Sequence, residues 1–71
     1  MLQAGDIVRV SSETMGYHEV QVDEIVDDVS EYCGLEGPGF WGMILTDEWG
    51  VNVSKDCIEL CYTLDMVDKR L

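Results

Sequence analysis

Seventy-one residues carry fifteen acids, four bases and a formal charge of −11, enough chain for one domain at most. That charge argues against nucleic acid and anionic membrane as direct ligands. A hydrophobic content of 46% argues against disorder, and no apolar run approaches the ~20 residues of a membrane span.

The MLQAGDIVRV opening has no basic segment followed by an apolar one, so no signal peptide is expected. Short β-like runs then alternate with Gly- and acid-rich turns. The first runs from Asp6 to Val10, with Val8 and Val10 alternating with Arg9. The second covers Glu19 to Val26, where Val20 and Val22 face one way and Glu19, Gln21 and Asp23 the other. Ile25 and Val26 break the alternation, which predicts a bulge near Asp23 and Glu24. Residues 27–39, DDVSEYCGLEGPG, read as a loop.

Phe40 to Leu45 is the third strand. Thr46 to Gly50 is a turn, from which Val51 to Val53 pairs back as a fourth. Ser54 to Asp56 reads as a short 3₁₀ turn. Ile58 and Leu60 face one way in a fifth strand, against Cys57, Glu59 and Cys61. Val8, Val10, Val20, Val22, Ile44, Val51, Val53, Ile58 and Leu60 form the expected core. Residues 63–71 are a tail or a short helix that needs docking.

The pattern resembles a small SH3-like barrel. The opening Gly5-Asp6-Ile7-Val8-Arg9-Val10 is similar to the first strand of KOW- and Tudor-type barrels. Phe40-Trp41-Gly42 through Trp49-Gly50-Val51 to Ile58-Glu59-Leu60 is similar to the last three strands of SH3 domains. The resemblance implies a mostly β fold, a five-stranded SH3-like barrel over residues 1–62 with a short C-terminal helix or tail over 63–71. The family's ALYDY motif is missing, and Ser54 stands where a proline would precede the short turn, so the proline-peptide groove is not implied. The basic loops of RNA-binding KOW barrels are replaced here by acidic ones.

No catalytic signature stands out, and the chain is expected not to be an enzyme. Cys57 and Cys61 sit four residues apart on a strand, about 13 Å, whereas a disulfide needs Cα atoms within about 7 Å. Cys33, Cys57, Cys61 and His18 match no zinc spacing. Three free thiols, no metal and no cofactor are expected, and the odd cysteine count points to a reducing, cytoplasmic setting. His18, the sole histidine, reads as a solvated residue at the start of the second strand; only Cys33 could partner it in a nucleophilic pair. The adjacent acids Asp23-Glu24, Asp27-Asp28 and Asp47-Glu48 read as a solvated face, and the spacing of an EF-hand is absent.

The informative feature is charge placement. Eight acids and no lysine or arginine lie between Val10 and Phe40. Glu19, Asp23, Glu24, Asp27, Asp28 and Glu31 form an acidic ridge, with Tyr32 and Trp49 as candidate apolar anchors. The expected function is non-catalytic docking on a basic protein surface. In size and composition the chain is similar to small phage proteins that block restriction or CRISPR enzymes by mimicking nucleic-acid charge. The alternative is an SH3-like adaptor that takes a peptide or subunit through its aromatics, with acidity serving solubility. A domain this small buries only about 60% of its unfolded surface, so a homodimer or a bound partner would add stability.

Overall fold

The computed structural model describes residues 1–71. Five strands form one antiparallel sheet in the order β4-β3-β2-β1-β5. They are β1 (Ile7–Ser12), β2 (Gly16–Val26), β3 (Gly39–Ile44), β4 (Glu59–Thr63) and β5 (Val67–Arg70). Single 3₁₀ turns stand at Val29–Glu31, Ser54–Asp56 and Leu64–Met66, and there is no α-helix. No helix is therefore long and apolar enough to cross a membrane.

The mostly β, five-stranded expectation holds, but one of the five strands comes from elsewhere. Residues 51–53 do pair back, the Asp47 N–H donating to the Val51 carbonyl at 2.9 Å and the Val53 N–H to that of Leu45 at 2.8 Å, but they form only the Thr46–Asn52 bridge and no strand. Asp47 draws the chain into a tight loop there, its carboxylate accepting the N–H groups of Trp49 and Val51 at 2.9 Å each. The fifth strand is supplied by the tail, which takes a single 3₁₀ turn at Leu64–Met66 and then docks as a strand. Val67, Lys69 and Arg70 pair with Val10, Arg9 and Val8, because β1 has a free ladder edge and the charged side chains of Asp68, Lys69 and Arg70 can stay in water. The boundary at residue 62 thus falls inside β4.

The sheet is strongly curled. β4 and β5 lie at opposite edges, yet only Leu64–Met66 separates them. Four backbone steps reach about 14 Å at most, whereas four inter-strand spacings in a flat sheet come to about 19 Å. The two edges are drawn together at Thr63 and Val67, with no ladder between them.

The expected bulge is present: the β2–β3 register shifts between Val22 and Glu24. The core is Val8, Val10, Val20, Val22, Phe40 and Tyr62, joined by buried Ile44, Val26 and Val29. Phe40 and Tyr62 stack with centroids 5.4 Å apart. Gly42 makes this possible, since a Cβ there would strike the Val20 side chain.

The core expectation fails at Val51, Ile58 and Leu60, which are exposed, and at Val53, which is half-buried. Val51 and Val53 lie in the loop that never becomes a strand. Ile58 precedes β4. Leu60 lies opposite Gly42 on the core face but on an edge strand, so one flank is open. Tyr62, two residues on, takes the inward role.

His18 is buried rather than solvated. Its Nδ1 donates to the Gly16 carbonyl at 3.1 Å, and its Nε2 accepts the Tyr62 hydroxyl at 2.8 Å. Burial, and then the charge of Glu59, push the Tyr62 hydroxyl well above the usual phenol range. Both ring nitrogens of His18 are thus engaged within the fold.

The expectation of three free thiols is overturned. Cys33 and Cys61 form a disulfide with Cα atoms 6.8 Å apart, leaving Cys57 as the free, exposed thiol. The spacing argument had weighed only Cys57 against Cys61. The 27–38 loop folds back beside β4, which sequence separation did not reveal.

Candidate protein interface

The predicted acidic ridge divides in three. Glu24, Asp27, Asp28, Glu31 and Tyr32 come together at the end of β2 and around the first 3₁₀ turn, lining a groove of about 310 Å³ with Ile25 and Val26. Ile25 and Tyr32 are 44% and 53% exposed. The groove therefore has apolar groups in reach of solvent and four carboxylates around them, with no base in its lining.

Asp28 differs from its neighbours. It caps the 3₁₀ turn, its Oδ1 accepting the backbone N–H groups of Ser30 at 3.0 Å and Gly37 at 3.1 Å. Those bonds, Ser30 first, hold its carboxyl below the usual aspartate range. Its charge is fixed in place, and it also ties the two ends of the loop together. Glu24, Asp27 and Glu31 accept no such bonds and are free to meet a partner. Tyr32 packs edge-on against half-buried Trp41, centroids 6.0 Å apart, which steadies the ring beside the groove.

Asp23 leaves the ridge. It is the bulge residue, and its carboxyl shares a hydrogen bond with that of Glu59 on β4. That bond, followed by burial and the Asp23 charge, raises Glu59 to about 7. A neighbouring carboxyl disfavours the charged form of Glu59, which therefore keeps its proton toward neutrality. Glu19 also leaves. It is half-buried and sits directly across from Arg9 in the β1–β2 ladder. Trp49 lies apart at the tip of the 46–52 loop, 80% exposed.

The bases are segregated from the groove. Arg9 bonds Asp68 through Nε at 3.0 Å, and Arg70 reaches Asp6 at 3.2 Å. With Lys69 they occupy the β1–β5 side of the sheet; Lys55 stands in the second 3₁₀ turn. No group of three or more histidine, cysteine or acidic side chains is arranged to hold a metal ion.

Sequence reasoning missed the Asp23–Glu59 contact and the Asp28 cap. The first depends on strand register. The second carried a local signal, since aspartate two residues before a serine at a turn start is a common capping arrangement. The chain matches no protein-family model, no curated protein and no solved structure.

Proposed function

We propose that this chain is a non-catalytic acidic domain that docks on a basic protein surface, using the groove at the end of β2. The observation that carries this reading is the clustering of Glu24, Asp27 and Glu31, free of internal partners, around exposed Ile25 and Tyr32. Acids at the rim steer a cationic surface into place, and the apolar centre excludes water on contact. Three of the four bases lie on the other side of the sheet, so little cancels this field. The partner surfaces that fit best are those that ordinarily hold nucleic acid, and the specific form is a mimic of nucleic-acid charge of the phage anti-restriction or anti-CRISPR kind. The chain itself takes no nucleic acid, membrane, metal or cofactor in this reading.

The odd cysteine count points to a reducing, cytoplasmic setting, whereas the Cys33–Cys61 disulfide weighs against one. The adaptor alternative, and with it a homodimer, keeps one specific support: Trp49 stands 80% exposed and away from the groove.

The test is affinity capture from extract at low and high salt, with native chain, Glu24→Lys/Asp27→Lys/Glu31→Lys and Trp49→Ala as baits. Asp28 is left alone because it caps the loop. The groove reading expects a basic protein held at low salt, released at high salt and lost with the triple reversal. Capture indifferent to the reversal but lost with Trp49→Ala would replace it with the adaptor.

A further inference from the structure

A second cleft, of about 440 Å³, opens along the seam of the curled sheet between β4 and the β1–β2 turn. Its walls include Leu35, Leu60 and Met66 on one side and Ser12, Glu13 and Thr14 on the other. The sheet curls until its edges approach at Thr63 and Val67, but the seam remains open toward the other end of β4.

The backbone of β4 gives this cleft its character. Ile58 accepts from the Ile44 N–H, and the Leu64 N–H donates to Pro38. With Leu60 opposite Gly42 and Tyr62 opposite Phe40, antiparallel alternation turns the even-numbered residues of β4 toward β3. The N–H and C=O groups of Glu59, Cys61 and Thr63 therefore point off the free edge. No strand pairs there, and no loop group bonds to them. Thr63 is buried at the closed end of the seam, whereas Glu59 is exposed and Cys61 half-buried.

Protein edges are ordinarily blunted by lysine, proline or a covering loop. The opposite edge follows that pattern, with Asp68, Lys69 and Arg70 in β5. β4, Glu-Leu-Cys-Tyr-Thr, carries no lysine or proline; the 27–38 loop reaches it through the Cys33–Cys61 bond and Leu35 but bonds none of its outward backbone groups, and the edge lies beside an apolar cleft. The one charged residue in the lining of the cleft, Glu13, is acidic, and the lining contains no base. A second copy, also at −11, would bring like charge to this edge.

We propose that the free edge of β4 takes up an extended segment of a protein partner in which basic and apolar residues alternate, adding a strand at Glu59–Cys61 and seating an apolar side chain against Leu60 and Met66. This rests on the reading above for the sign of the partner's charge and goes beyond it in the mode of binding. Main-chain bonds supply the attachment, and the pocket beside the edge selects the alternating side chain.

The probe is the blocked peptide Lys-Val-Lys-Val-Lys-Val, with hexalysine as the charge-only control, each added to the oxidised full chain and followed residue by residue through amide hydrogen exchange and NMR shifts. The alternating peptide should slow exchange at Glu59 and Cys61. Glu59→Pro removes an outward N–H that the sheet does not use and should weaken it by about tenfold, whereas Glu59→Gln, which keeps the N–H, should retain most of the binding. Should Glu59→Pro fail to fold, Leu60→Lys at an exposed position should give the same loss. Protection at Glu59 that persists while hexalysine ignores the Glu24→Lys/Asp27→Lys/Glu31→Lys reversal would support the edge assignment and sink the groove reading instead. The assignment is overturned if the peptide perturbs only Glu24–Tyr32, if Glu59→Pro and Leu60→Lys both bind as the native chain does, or if the free protein is a dimer that already protects the Glu59 amide.

Discussion

Reducing the Cys33–Cys61 bond should remove a large part of this domain's stability. The bond joins residues 28 apart in sequence. On the chain-entropy account, closing a loop of that length restricts the unfolded chain by about 3.6 kcal/mol at 25 °C. A domain of this size has roughly 4–11 kcal/mol in total, so the reduced form would keep between almost none and two thirds of it. At urea slopes of about 1–3 kcal/mol per molar, the midpoint should fall by about 1–4 M. The assay is equilibrium urea unfolding followed by tryptophan fluorescence, with and without reductant, on native chain and on Cys57→Ser. Thiol titration of the unfolded, unreduced protein should find Cys57 alone in the native chain and none in Cys57→Ser. Three reactive thiols before reduction, or coincident midpoints with and without reductant, would refute the pairing and the loop placement that goes with it.

Tyr62→Phe should cost about 1–3 kcal/mol in the same assay, because it leaves the buried Nε2 of His18 without its donor. Phe40→Ala should cost about 3–5 kcal/mol, and Ile58→Ala far less, since Ile58 is exposed; equal losses would restore an inward-facing Ile58. The Asp23–Glu59 pair makes stability depend on pH. Glu59 binds its proton more tightly when folded, so stability should fall as pH rises from about 4.5, the unfolded value, to about 7. Asp28 works in the opposite direction: its lowered folded value means that its contribution fades as pH drops below the ordinary aspartate range. A stability maximum on the acid side of neutrality follows, and Glu59→Gln should flatten the decline above it; an unchanged decline in that variant would contradict the shared proton. In gel shifts near physiological salt neither DNA nor RNA should be retarded, and micromolar binding there would contradict the charge argument.

Where alternation had a buried face to report on, the sequence was legible. Val8, Val10, Val20 and Val22 announce β1 and β2, and Ile25-Val26 marks the bulge because a period-two pattern cannot continue through it. Val51-Asn52-Val53 carries the same pattern with no place in the sheet, because the Asp47 carboxylate closes the preceding loop on itself. The tail misled in the other sense: Leu64, Val67 and Leu71 suit one face of a helix, and only the free edge of β1 makes residues 67–70 a strand. The groove was partly legible, since Glu24, Asp27, Glu31 and Tyr32 are near neighbours in the chain. The departure of Glu19 depended on the β1 residue opposite it, and that of Asp23 on a β4 residue brought near it across β3, which are matters of register and not of composition.

Glu24, Asp27 and Glu31 are proposed to steer a basic partner into the groove. The most direct test is the association rate of the captured partner with native chain and with Glu24→Lys/Asp27→Lys/Glu31→Lys, measured from low to high ionic strength. The native rate should fall steeply with salt, and the reversed variant should associate slowly with little salt dependence. Equal rates and equal salt slopes for the two proteins would contradict this steering.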